Sequence, residues 1–258
     1  MFSLEGRTVL VTGGAGYLGT PVCLLLKAQG ANVVIADKDR GRLETARETI
    51  GAAPGQGGVE ILPIDMADEP SILACVADAA ARFGGLSGLI AATAFNSGKR
   101  FEALDAETFD LANRINLTGT FLLARAAAEA MGQGGAIVLY SSMYGVVSPD
   151  PGKYPGGMAP NAIEYGVGKA GLNQMVRYMA GHYGPRAIRV NALYPGPFPH
   201  EGVQKDHPEF IANLSAATML KRIGRQHETA GAAVFLVSDA ASYVTGQVLG
   251  VDGGWTAW

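Results

Sequence analysis

The chain has 258 residues, of which 48% are hydrophobic and 17% charged, with a formal net charge of -3. This composition supports a sizeable buried core and excludes a disordered chain. The chain also lacks the basic run a nucleic-acid surface needs, and its 36 glycines have no three-residue period, which excludes collagen.

Residues 1–7 lack the apolar stretch of a signal peptide, and no run of about 18 apolar residues predicts a membrane-spanning helix. Short β-branched runs then alternate with longer helical patterns. A strand is predicted over Thr8–Val11, a helix over Tyr17–Gln29, a strand over Asn32–Ala36 and a helix over Arg40–Ile50. Next come a strand over Val59–Leu62, a helix over Ser71–Phe83, a strand over Leu89–Ala92 and a long helix over Ala106–Met131. The pattern closes with a strand over Ala136–Leu139, a helix over Ala162–Tyr183, a strand over Arg189–Leu193, a helix over Glu228–Ser238 and a strand over Gln247–Val251. Several strands are apolar throughout, as strands covered on both faces are. The alternation predicts an α/β fold: a Rossmann-type doubly wound parallel sheet of about seven strands, flanked by helices on both faces, with ligands at the carboxyl ends of the strands. No linker divides residues 1–258, so one domain is expected. Two stretches break the rhythm, 145–161 and the proline-rich 195–208. Substrate loops are expected at about 145–161 and 195–220. Cys23 and Cys75 read as small core residues in a reducing compartment. The four histidines are scattered, and no metal site is expected.

The first strand runs into Thr12-Gly13-Gly14-Ala15-Gly16-Tyr17-Leu18-Gly19, and a helix follows. Gly13 suits a tight turn, Gly16 close approach of a phosphate, and Gly19 close packing of helix on strand. Amide N–H groups at the helix start then face an anion, which the helix dipole favours. Asp37 ends the second strand, where a carboxylate hydrogen-bonds the adenosine ribose and repels a 2′-phosphate. NAD is therefore expected over NADP. Lys38 and Arg40 are either phosphate acceptors or a solvated turn. Asp65 either accepts from the adenine amino group or caps a helix starting near Asp68.

Tyr165 and Lys169 stand four apart, on one helix face. A phenol titrates near 10, so a neighbouring cation and an oxidised nicotinamide are needed to make it a proton acceptor. Asn116 and Gly119 are poor helix-interior residues inside a long helical pattern, which fits a bend serving a polar site or a plain glycine kink.

The Gly-rich turn, Asp37, Asn116, Ser141-Ser142, the Tyr165/Lys169 pair, Arg189-Val190-Asn191 through Pro195-Gly196 and the closing Val251-Asp252-Gly253-Gly254 together resemble the short-chain dehydrogenase/reductase family. The resemblance covers about residues 8–254 and points to the family's shorter, single-domain branch. It implies that Tyr165 is the general acid/base, that Lys169 depresses its pKa and holds the nicotinamide ribose, that Ser142 binds the substrate oxygen, and that Asn116 holds a water beside Lys169. It implies cofactor contacts from Gly13, Gly16, Tyr17, Leu18, Gly19, Asp37, Lys38, Asp65, Met66, Ala91, Ala92, Thr93, Tyr165, Lys169, Pro195, Gly196 and Phe198.

The chain departs from the family in four places. The glycine spacing is that of the longer branch, which includes sugar-nucleotide epimerases, with Tyr17 where the shorter branch has a glycine. No further substrate domain fits after Gly254, which argues against an epimerase. Ala91-Ala92-Thr93-Ala94 replaces an Asn-Asn-Ala-Gly stretch. The Ser142–Tyr165 interval is about ten residues longer than usual in the family, and the usual threonine after Pro195-Gly196 is replaced near Pro199-His200. Substrate contacts are expected from Asn96, Ser142, Tyr144, Tyr154, Asn161, Tyr165, Pro197 and His200. Their hydroxyl, amide and aromatic groups suit a sugar, sugar acid or polyol.

The expected function is NAD-dependent interconversion of a secondary alcohol and a ketone by a cytoplasmic enzyme. The alternatives are a reductase of an acyl or other apolar ketone, an isomerase with tightly bound NAD, and a non-catalytic NAD-binding scaffold. A homodimer or homotetramer is expected, with no nucleic-acid or membrane partner. Trp255–Trp258 is expected either at a subunit interface or packed on its own subunit.

Overall fold

Seven parallel strands form one sheet in a computed structural model that describes residues 1–258. The strands are β1 (Thr8–Thr12), β2 (Asn32–Asp37), β3 (Val59–Pro63), β4 (Gly88–Ala91), β5 (Gly135–Tyr140), β6 (Ile188–Pro195) and β7 (Val248–Val251), in the order β3-β2-β1-β4-β5-β6-β7. The apolar runs of the central strands β1, β4 and β5 follow from two-sided burial. On β5, Ile137 and Leu139 enter one core while Ala136, Val138 and Tyr140 enter the other.

Helices α1 (Gly19–Ala28) and α2 (Arg40–Gly51) cover one face, completed by α9 (Ala230–Val237). The other face carries α3 (Glu69–Ala80), α5 (Thr120–Met131) and α6 (Ile163–Tyr183). Local chemistry sets several helix starts. Asp39 accepts from the Arg42 amide at 3.0 Å and opens α2; Asp68 does the same for α3 through the Ser71 amide at 3.0 Å. Asp68 is thus the cap, and Asp65 is free of that role.

Three expectations are corrected. The helix expected over Ala106–Met131 is three pieces: α4 (Ala106–Asn113), a π-helical turn (Arg114–Gly119) and α5. The widened turn contains both Asn116 and Gly119, as the bend reading requires. The helix expected from Tyr17 starts at Gly19, which leaves Tyr17 in the turn. The stretch after β6 is not irregular throughout: it holds α7 (Glu201–Asp206) and α8 (Pro208–Ala217). Pro208 sits in the first turn of α8, where a missing N–H costs nothing.

Both cysteines are buried and unpaired. No helix is long and apolar enough to cross a membrane. The Trp258 indole donates to the Ala217 carbonyl at 2.7 Å, so the C-terminus contacts its own chain, although Trp258 stays 75% exposed.

Candidate active site

Strand order reverses between β1 and β4, and the crevice at a parallel sheet's carboxyl end opens there. A cleft of about 410 Å³ runs along that edge. It is lined by Gly13, Gly16, Tyr17, Leu18 and Gly19 from the first turn, by Asp37, Lys38, Asp65 and Met66 after β2 and β3, and by Ala92 and Thr93 after β4. Tyr165, Lys169, Pro195, Phe198 and His200 complete it from the β6 side. The residues expected at a dinucleotide thus meet in one groove, with two exceptions, and one expected substrate contact, Pro197, also lies outside it. Ala91 is sealed inside β4 at 4% exposure. Gly196 packs against the Asp252 backbone, and Pro197 faces a separate cavity with Leu220 and Arg222. Strand alternation explains Ala91, because successive residues at a strand end point to opposite sides; Gly196 and Pro197 lie past the end of β6.

The shape of the first turn fits a dinucleotide. Gly13 has φ +69°, and a Cβ there would stand 2.9 Å from the Ala92 and Thr93 backbone. A Cβ on Gly19 would stand 2.1 Å from the Gly13 carbonyl oxygen. Only bare Cα atoms let the turn close and bring the α1 amides to the groove.

At the adenosine end, Asp37 is only 8% exposed. Its Oδ1 accepts from the Asp39 amide at 3.1 Å and from Arg42 at 3.2 Å. Arg42 was missed from sequence, although Asp39 capping α2 places it in the first turn, facing back toward β2. Arg40 does not line the groove. Asp65 does, with its Oδ1 held by the Ala67 amide at 2.9 Å.

At the other end, one turn of α6 carries Tyr165 and Lys169. The Lys169 ammonium lies 5.6 Å from the centre of the Tyr165 ring. It is 1% exposed and donates to the Tyr140 carbonyl at 2.7 Å. Burial lowers the Lys169 pKa from 10.5 to about 8. Burial also pushes the Tyr165 phenol above its ordinary range, with a hydrogen bond from Ser142 pulling it back. In the protein alone the phenol is thus shifted up, by burial, rather than down. Of the two serines, Ser142 meets the phenol, while Ser141 donates to the Lys169 carbonyl at 3.0 Å.

Asn116 is 1% exposed and grips the strand β4 exit: its Oδ1 accepts from the Phe95 amide at 2.8 Å and its Nδ2 donates to the Phe95 carbonyl at 2.7 Å. The two following residues are also tied down. Asn96 donates to Asn161 at 3.1 Å, and the Ser97 hydroxyl donates to the fully buried Glu164 carboxylate at 2.6 Å. Glu164 carried no sequence signal beyond its place beside Tyr165. Above Ser142, the Tyr144 and Tyr154 hydroxyls pair at 2.6 Å, and the Tyr154 ring packs on Phe210 of α8 at 5.1 Å. The two loop stretches thus meet each other. His200 stands apart from this group, in the groove against Tyr17.

Lys169 makes the stability of the fold depend on pH. The unfolded chain keeps this proton up to about 10.5 while the folded protein releases it near 8, so stability rises between those values. The shift corresponds to roughly 3 kcal/mol. Thermal denaturation from neutral to alkaline pH is expected to show wild type gaining on Lys169→Met by about that amount. Parallel curves for the two proteins would contradict a buried, desolvated ammonium.

The chain matches the family model described as enoyl-(acyl carrier protein) reductase over residues 15–256. It is 38% identical to the 2,5-dichloro-2,5-cyclohexadiene-1,4-diol dehydrogenase of Sphingobium indicum, across 100% of both chains. It is 33% identical to a galactitol 2-dehydrogenase (L-tagatose-forming) of Cereibacter sphaeroides, covering 100% of this chain and 98% of that one. Among solved structures, a short-chain type dehydrogenase/reductase from Mycobacterium marinum superposes with a TM-score of 0.87 at 27% identity, covering 100% of this chain and 98% of that one.

Proposed function

The chain belongs to the short-chain dehydrogenase/reductase family, oxidoreductases that use nicotinamide cofactors, and on that premise we propose that it interconverts a secondary alcohol and a ketone of an oxygen-rich small molecule, with NAD as its cofactor. The observation that carries this reading is a single groove lined at one end by Asp37 and at the other by Tyr165 and Lys169.

The Gly13–Gly19 turn and Asp37 would hold the diphosphate and adenosine ribose, and Lys169 the nicotinamide ribose. The nicotinamide, when bound, supplies hydride chemistry. A 2′-phosphate would be set against the Asp37 carboxylate, which favours NAD, and Arg42 already spends part of its charge on that carboxylate. The Ser142 hydroxyl binds the substrate oxygen and the Tyr165 phenol together. Tyr165 gives a proton to the oxygen in ketone reduction and takes it in alcohol oxidation. As it stands the phenol is pushed up, hence protonated at neutral pH and ready as a donor. Oxidation needs additional positive charge beside it. Asn116 holds the Phe95 backbone, and so fixes the groove wall facing Tyr165.

The substrate reading rests on polar pairs in the segments that follow β4 and β5. The Tyr144/Tyr154 hydroxyl pair and the Asn96/Asn161 amide pair offer spare donors and acceptors for further oxygens of a polyol or ring diol. Relatives that act on a cyclic diol and on galactitol support it. Exposed Leu111, Phe121, Val167 and Tyr178 on α4, α5 and α6 support a homodimer or homotetramer. Two buried free thiols fit a reducing cytoplasm.

The test is turnover of hexitols, cyclic diols, simple secondary alcohols and apolar ketones with each cofactor. Polyol or diol oxidation is expected, with kcat/KM at least about tenfold higher for NAD than NADP, the value of one charge repulsion of roughly 1.4 kcal/mol. Preference for apolar ketones would overturn the substrate reading. Cofactor retained through purification with no NADH release would favour an isomerase, and no turnover at all a binding scaffold.

A further inference from the structure

Two side chains in the groove have no part in the chemistry above. Tyr17 stands on the first turn, and His200 on the segment after β6, so they rise from opposite walls. Their rings meet with centroids 4.4 Å apart and planes tilted by 42°. Each side of this contact is braced. Gln226 donates to the Tyr17 carbonyl at 2.7 Å, and Glu201 and Gln204 of α7 stand beside the Tyr17 hydroxyl. His200 immediately precedes α7, and its carbonyl accepts from the Gln204 amide at 3.0 Å. One aromatic pair therefore ties the first helix after β6 to the glycine-rich turn.

The placement has a chemical consequence. In this architecture a diphosphate lies against the first amides of α1, beside Tyr17. The cationic side chains of the groove stand at its ends: Lys38 and Arg42 with Asp37, and Lys169 with Tyr165. Between those ends, His200 is the side chain that can offer an N–H to a phosphate oxygen. Tyr17 keeps an otherwise exposed imidazole in one place, which lowers the cost of ordering it on binding.

We propose that Tyr17 and His200 form a retaining pair over the cofactor's diphosphate, in which the imidazole donates to a phosphate oxygen and the stacked phenol ring holds it there, so that the cofactor leaves slowly. This inference rests on the dinucleotide reading above. It goes further by giving His200 to the cofactor rather than the substrate, and by placing control of release in a pair that bridges the groove.

The experiment uses the full chain and reads binding rather than turnover. NADH dissociation is followed by stopped-flow fluorescence, and affinities for ADP-ribose and adenosine by competition against NADH. His200→Ala is expected to speed NADH dissociation about tenfold and to weaken ADP-ribose by a similar factor, the value of one hydrogen bond to a charged group. Adenosine, which carries no phosphate, keeps its wild-type affinity. Tyr17→Leu keeps an apolar side chain, removes the stacking ring and is expected to shift the same two ligands in the same direction. Unchanged dissociation and ADP-ribose affinity in both variants would overturn the proposal, as would an equal loss for adenosine. Wild-type protein that binds no NADH would overturn the dinucleotide reading together with this one, a result distinct from variants that match wild type.

Discussion

Replacing Tyr165 by Phe is expected to lower kcat/KM for alcohol oxidation by about 10²–10⁴-fold, the range for loss of a positioned acid/base, with a far smaller change in NADH affinity. The substitution removes one hydroxyl and keeps the ring. The packing of that ring beneath Lys169, 5.6 Å from the ammonium, therefore survives. What is lost is the oxygen that Ser142 hydrogen-bonds and that can carry the substrate's proton. The pH profile gives a second reading of the same event. Because burial holds the phenol above its ordinary range, it must lose its proton against a desolvation penalty. Oxidation by the wild-type enzyme should therefore increase with pH, and the residual rate of the variant should not follow that rise. Turnover of the variant at the wild-type level would remove Tyr165 from the mechanism.

The second large effect is expected at Gly19. An alanine there would place its Cβ 2.1 Å from the Gly13 carbonyl oxygen and 2.7 Å from the Gly14 Cα. Both neighbours are backbone, so no side chain can swing aside. Either the first turn opens or α1 moves away from β1, and in both cases the α1 amides leave the groove. Overpacking of this kind costs on the order of 3 kcal/mol. Gly19→Ala should thus weaken NADH binding by roughly 10²-fold, with a lowered Tm for the share of the strain carried by the fold. Fluorescence titration with NADH and a thermal melt on the same preparation measure both. Wild-type affinity in this variant would mean that the turn does not depend on contact at that Cα.

The strands were readable because several are continuous apolar runs, and the reason is local: a strand covered on both faces has no polar side to show. The glycine-rich turn was readable because its spacing lies between a strand and a helix that each have their own pattern. Other features had no such signature. Pro208, the last residue of the proline-rich stretch that breaks the rhythm, is a helix start, since proline carries the same sequence signal in both roles. Asn116 looked like a bend, but its partner, the Phe95 backbone, lies in another element and cannot be named from Asn116 alone. Arg42 was passed over because nothing in a run of charged residues marks which of them turns toward the groove.

The amino-acid sequence by itself determined the succession of strands and helices, the glycine turn, Asp37 at the end of β2, and the one-turn spacing of Tyr165 and Lys169. These follow from backbone periodicity and local sterics, which act over a few residues. The tertiary structure alone decided that Tyr17 meets His200, that two loop stretches join through Tyr154 and Phe210, and that the Tyr165 phenol is pushed up rather than down. Those outcomes depend on which distant segments exclude water from a given atom. Desolvation and through-space charge are properties of that enclosure, and no stretch of chain carries them alone.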